Sequence, residues 1–348
     1  MRRLLATLVA LLCAVVLPGI AQAGPDVNIQ EAELARSPNA PVPIAPRGPG
    51  GPIYNTIPDP FPGSFPSMGY EANSLDEFGD HIVLGSTARD LEKIELTMTN
   101  WACENDYTWN GSSWVANRDG TAGEACVTTP DSGFDHPITL NIYDVDYSGG
   151  PPALGTLLAS KTDTYFMYYR PSWDSVNCTG AGETPADDIP FGGKWYDPVL
   201  GACVHGYNTT IEYDFTSDGI TLPDEIIVTV AYNTANHGAV PIGSAGPYSS
   251  LNVAVDPPPP TIGSNPEPDD TWGDSSWAGY YCDGGAGGTD TLRRDYAVDC
   301  WIGYTPIMVI NPTPPPQLPA TGTIAVVILG VLLLGTLAFS VRGLTKNR

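Results

Sequence analysis

Positive charge is what this sequence most lacks. Only 15 of its 348 residues are Lys or Arg, against 39 Asp and Glu, which leaves a formal net charge of −24. Such a balance repels phosphate backbones and excludes nucleic acid as a partner. Helical periodicity is missing as well: no stretch in 24–319 carries the apolar spacing of an amphipathic helix. With 35 prolines and 38 glycines set among short alternating runs, that absence favours a sandwich or barrel. There is no Cys-x-x-Cys pair, and His81, His136, His205 and His237 share no ligand spacing, which removes the usual zinc arrangements. The histidines are expected at strand ends or in loops.

What is present is clearest at the two ends. Met1-Arg2-Arg3 precedes an apolar run over 4–17, and Ala21-Gln22-Ala23 supplies a small-any-small cleavage site. Residues 1–23 are therefore expected to be a signal peptide, with the mature chain starting at Gly24. At the other end, Leu318-Pro319-Ala320-Thr321-Gly322 is followed by an uncharged run over 323–341 and then by Arg342, Lys346 and Arg348. Nineteen residues at about 1.5 Å each give roughly 28 Å of helix, enough to cross a bilayer, with the basic tail 342–348 inside. This arrangement resembles the cell-wall sorting signal of Gram-positive surface proteins. The resemblance implies that a sortase cuts between Thr321 and Gly322 and joins the threonine to peptidoglycan. It also implies a protein held at the cell surface, extracellular and anchored in wall or membrane, with Leu318, Pro319, Thr321 and Gly322 as processing residues beside Ala21 and Ala23. The helix would hold the membrane only before processing. Five basic residues lie in these end segments and no acidic ones, so the exported part has a net charge near −29.

Between the ends, 24–53 reads as an extended Pro-rich spacer and 312–322 as a Pro-rich stalk carrying the sorting motif. Period-two alternation marks strands. Ile94, Leu96 and Met98 form one such row, and Ile138, Leu140 and Ile142 a second. Ile211, Tyr213 and Phe215 follow, then Ile226, Val228 and Val230, then Leu251, Val253 and Val255. One face of each would be buried, as in an antiparallel sheet packed on a second sheet. Two further strands are expected within 154–169, and the apolar run 302–310 is expected to return to the first sheet. The fold class is thus all-β, an antiparallel β-sandwich over 54–311, with 272–301 as a disulfide-closed insertion.

Cys13 falls in the leader, leaving Cys103, Cys126, Cys178, Cys203, Cys282 and Cys300. Six cysteines in an exported chain read as disulfides, with fifteen pairings open in principle. Each successive pair brackets a stretch rich in Gly, Asp, Asn and Trp. Neighbour pairing would therefore close three surface loops of roughly 20 residues and stabilise by about 3 kcal/mol each.

The segment Phe78-Gly79-Asp80-His81-Ile82-Val83-Leu84-Gly85-Ser86-Thr87-Ala88-Arg89-Asp90-Leu91 resembles the opening of jelly-roll-like extracellular domains of bacterial surface proteins. Gly246-Pro247-Tyr248-Ser249-Ser250-Leu251-Asn252-Val253 is similar to a late strand of the same domains. The resemblance implies a jelly-roll-like topology and carries no activity, since most such domains have none assigned.

No residue stands in a catalytic context, and none is assigned as catalytic. Gly273-Asp274-Ser275 has the look of a nucleophile but no helix follows it, so it reads as a turn. Asp144 and Asp146, Asp187 and Asp188, Asp269 and Asp270, and Asp283 with Asp290 offer hard oxygens on expected loops. A structural calcium ion on one such pair is an expectation; no cofactor and no catalytic metal is. Trp101, Trp109, Trp114, Trp195, Trp272, Trp277 and Trp301 lie in or beside the cysteine loops, where they would cover the bridges as satellite cores or stack on sugars. The expected function is a non-catalytic adhesive or structural surface protein, facing a glycan or a host or neighbouring surface. The alternative is a glycan-binding module or a carbohydrate-active hydrolase.

Overall fold

The computed structural model describes residues 29–30, 51–118, 123–256, 259–297, 300–301 and 304–314. The processing residues Ala21, Ala23, Leu318, Pro319, Thr321 and Gly322, and the expected span 323–341, lie outside the described residues. Among the described residues no helix is long and apolar enough to cross a membrane.

The chain is built of strands: β1 (Ile29–Gln30), β2 (Tyr54–Asn55), β3 (Ser67–Gly69), β4 (Leu75–Val83) and β5 (Leu91–Asn100). There follow β6 (Tyr107–Trp109), β7 (Trp114–Ala116), β8 (Gly133–Asp146), β9 (Ala153–Tyr168), β10 (Trp195–Asp197) and β11 (Ala202–Val204). The last are β12 (Tyr207–Asp214), β13 (Glu225–Ala231), β14 (Leu251–Asp256), β15 (Asp270–Ser275), β16 (Arg293–Tyr296), β17 (Thr305–Pro306) and β18 (Met308–Pro312). Among the described residues, helix is confined to one four-residue turn, Tyr70–Asn73, and three short 3-10 turns.

Two antiparallel sheets face each other. One runs β1-β3-β14-β5-β18-β2, with β12 also on β5 and β17 on β14; the other runs β16-β15-β4-β13-β8-β9. Ile94, Leu96 and Met98 of β5 meet Phe78 and Ile82 of β4 and Val228 and Val230 of β13 in the central core. This is the sandwich that the alternation implies, and the described part of the 302–310 run returns through β18 to β5 as expected. The opposite face of β5 differs from expectation. Glu95, Thr97 and Thr99 are buried too, because 56–66 straps that side: Phe61 and Phe65 pack on Ala254 and Ile307.

The expected pair of strands in 154–169 is a single strand, β9, lying along β8, whose register shifts beside Tyr143 absorb the break in period. The second sheet is strongly curled, so that its two edge strands, β9 and β16, approach within 8 Å between Cα atoms. The stretch 272–301 is woven into this sheet: Trp272 lies on β15, β16 closes the edge, and Tyr280, Tyr281 and Trp301 join the main core.

The bridges are Cys103–Cys126, Cys178–Cys203 and Cys282–Cys300, the neighbour pairing. Three such bridges belong to an oxidising environment. The bracketed stretches are not strandless, however. The first holds the ribbon β6-β7, the second β10-β11, and the third the strand β16.

Candidate functional site

The first two disulfide loops meet beside the end of β9, and next to them opens a cleft of about 470 Å³. Four separate segments line it: 128–131 after Cys126, 168–174 after β9, Trp195 and Tyr196 on β10, and Tyr207 at the start of β12. Its framework is held by backbone bonds between the loops. Cys126 N donates to Gly192 O at 2.8 Å, Trp173 N to Cys126 O at 3.1 Å and Asp174 N to Lys194 O at 3.0 Å. Beneath them Arg170 is fully buried and donates to the carbonyls of Gly193 and Phe191, while Arg118 pairs with Asp106 and donates to Glu124 O and Phe191 O. Burial pulls the Arg170 guanidinium down to about 10. His205 meets Asp188 at 2.7 Å and stacks under Trp101, with ring centroids 4.8 Å apart. Loops pinned this firmly present a preformed concavity, the usual form of a small-ligand site.

The walls are aromatic. Trp195, Tyr207 and Val204 form a small satellite core, and Tyr168, Tyr169 and Tyr196 complete the lining. Two carboxylates belong to it. Asp131 is exposed, in the left-handed region at φ 64°. Asp174 accepts from Val176 N, Asn177 N and Asn177 Nδ2 at 2.8–3.0 Å. Burial would push the Asp174 carboxyl up, but those donors outweigh it and hold it below the ordinary range.

A second concavity, about 300 Å³, opens on the polar face of the curled sheet and is lined by Asp76, Glu77, Thr139, Tyr232 and Asp274 among others. Glu77 on β4 and Asp274 on β15 are direct cross-strand partners. Glu77 Oε1 accepts from Asn141 Nδ2 at 2.8 Å, Tyr143 OH at 3.2 Å and Thr229 Oγ1. Burial, then the charges of Asp76, Glu77 and Asp290, pushes Asp274 up to about 6. The expectation of a turn at Gly273-Asp274-Ser275 is therefore corrected: these residues are the end of a strand, because the rings of Trp272, Tyr280 and Tyr281 bury it in place of apolar alternation.

Other expected site residues are dispersed. Asp144 and Asp146 lie on β8 and Asp270 begins β15, so these are not loop acids. Asp283 pairs with Arg293 at 2.9 Å and accepts from Gly285 N and Gly287 N. Asp187 and Asp188 stay in the second loop, bonded to Thr184 Oγ1 and His205. His81 and His136 are buried mid-strand, not at strand ends. Of the tryptophans, Trp272 and Trp301 are buried in the sandwich, while Trp109 is 52% and Trp277 40% exposed. Cys282, Asp295 and Cys300 stand close together, but the sulfurs are joined and Asp295 accepts from Cys282 N and Trp301 Nε1.

Only Trp195 of the cleft residues was singled out by the sequence. The others are scattered over some 80 positions and carry no local signature; the surplus of Tyr next to Pro and Asp in 168–174 was the one available sign. No family model, no curated protein and no solved structure matches the chain.

Proposed function

We propose that the chain is an exported surface protein of a Gram-positive cell, joined to peptidoglycan by a sortase at Thr321, whose jelly-roll-like sandwich displays a non-catalytic binding site. The observation that carries this reading is the loop-built aromatic cleft at Trp195, Tyr196 and Tyr168, which adhesion to a glycan-bearing surface would use. Its proline stalk and leader are consistent with display outside the cell, as are three bridges.

The hydrolase alternative has one observation in its favour. Asp274 keeps its proton to about 6 and faces Glu77 across one strand pair, the two-carboxylate arrangement of glycoside hydrolysis. One experiment separates the two. The purified protein is offered bacterial, fungal and plant polysaccharides, and both retention and released sugar are measured. Retention of at least one of them without release is expected, weakened about tenfold or more by Tyr196→Ala, the loss typical of an aromatic anchor. Sugar release that disappears in Asp274→Asn would replace the adhesive reading with the hydrolase.

Anchoring has its own test. In a sortase-positive host, Thr321→Ala should shift the protein from the wall fraction to membrane and medium. Wall attachment unchanged in that variant would leave a plain membrane anchor in place of sorting.

A further inference from the structure

We infer that the aromatic cleft selects ligands by a positively charged ammonium group. The inference rests on the cleft being the binding site, and it names the chemistry the cleft accepts.

The rings turn two right angles. Tyr168 and Tyr207 stand 6.2 Å apart between centroids at 81°, and Tyr207 and Trp195 stand 6.2 Å apart at 75°. Trp195 and Tyr207 are buried in this packing, while Tyr168 and Tyr196 are half-buried and offer ring surface to the cleft, where a small cation can lie within the roughly 6 Å over which an aromatic ring attracts positive charge. The indole of Trp195 brings no polar handle to a ligand, because Nε1 donates to the carbonyls of His205 and Gly206 at 3.2 and 3.1 Å.

The polar groups nearby are engaged with one another. Thr128 N donates to Ser172 Oγ at 2.8 Å, and Ser172 Oγ donates back to Thr128 O at 3.1 Å. Asp174 is occupied by the 176–177 donors. A neutral sugar would meet only the ring faces and hydroxyls of Tyr168 and Tyr196, whereas a cation meets those faces and uncompensated negative charge as well. Asp131 and Asp174 line the cleft, and no Lys or Arg does among the described residues; Arg170, the buried cation behind it, is turned to Gly193 O and Phe191 O. The net charge of −24 adds a field that draws cations toward such a mouth.

Quaternary ammonium headgroups and protonated amino sugars share this chemistry, and the test tells them apart. The full chain is titrated calorimetrically with choline, glucosamine, N-acetylglucosamine and glucose at 0.01 M and at 0.5 M salt (a roughly sevenfold shorter screening length at the higher salt). Choline, glucosamine or both should bind, more weakly at high salt, while the two neutral sugars should not. Tyr168→Leu should weaken the cation about tenfold, within the range of a desolvated cation–π contact. Asp131→Asn, which tolerates the same left-handed backbone, should weaken it several-fold and reduce its salt dependence. Binding of the neutral sugars that Tyr168→Leu abolishes would overturn the cation preference and leave the cleft as the site. Cation binding indifferent to both variants would overturn it as well, and no ligand bound by the cleft would remove the adhesive reading with it.

Discussion

Trp301→Ala is expected to lower the melting temperature by roughly 10–15 °C. Trp301 lies just past Cys300, in a stretch that by sequence looks like the rim of a surface loop, yet it is fully buried. Its ring meets Tyr280 at 5.1 Å and Tyr304 at 6.4 Å, and all three belong to or pack on the central core. Its indole N–H donates to Asp295 Oδ2 at 2.6 Å. Truncation leaves a large cavity, about 3–5 kcal/mol for a buried aromatic. It also removes one of the two donors to a buried carboxylate, a further cost of about 1 kcal/mol or more. A chain of this size loses roughly 2–4 °C per kcal/mol. Trp301→Phe keeps most of the volume but not the donor, so the two contributions separate in calorimetry. Trp277, 40% exposed, is the control: its truncation should cost under about 1 kcal/mol. Equal effects at the two positions would mean that 272–301 hangs outside the sandwich after all.

That contrast marks where the sequence is readable and where it is not. Period-two alternation located β5, β8, β12, β13 and β14 because their inward faces are apolar and a one-residue slip would expose them. The neighbour bridges followed from what lies between the cysteines. β15 escaped because Asp-Thr-Trp-Gly-Asp-Ser contains a single large apolar residue; it is a strand through its ladder to β4 and the tyrosine rings over it, which are tertiary facts. β9 was divided in two because an edge strand exposed along much of its length has no need of strict alternation. The cleft was invisible for a different reason. Tyr168, Trp195 and Tyr207 converge only when β9, β10 and β12 are placed together, and no spacing along the chain encodes that.

Asp270→Asn should remove about 1 kcal/mol of the stability that the wild type loses as pH rises from 6.5 to 8. The cause is a buried acidic group that no alternation pattern revealed. Asp270 on β15 pairs with Arg294 on β16, which also holds Glu267 at 2.6 Å. Asp80 on β4 is buried nearby and accepts from His81 N, Asn265 Nδ2 and Thr305 Oγ1 at 2.7–2.8 Å. His81 lies 3.7 Å from Glu267 and 3.2 Å from Glu225, and Tyr147 OH donates to Glu225. Burial, together with the charge of Glu267 and against the pull of Arg294, pushes Asp270 up to about 7. Burial, then repulsion from Asp270, raises Asp80 well above the ordinary range. Both acids bind protons more tightly folded than unfolded. Their contribution is complete below the unfolded carboxyl value near 4 and is lost as pH rises through the folded one, at up to about 1.4 kcal/mol per pH unit for each group. Below about 6.5 two histidines work the other way: burial lowers His136 to about 4 and also lowers His205, so acid destabilises through them. An unfolded imidazole is still about half protonated at 6.5 and nearly neutral by 8, so the histidines return about 0.4 kcal/mol each over this interval, a gain common to the wild type and to Asp270→Asn. Asp270→Asn removes one proton from that balance while Arg294 keeps Glu267, so its stability should vary less over the same interval whatever its absolute value. Chemical denaturation of both proteins at four pH values between 6.5 and 8 measures the slopes directly. An Asp270→Asn slope equal to that of the wild type would show that Asp270 is ionised throughout.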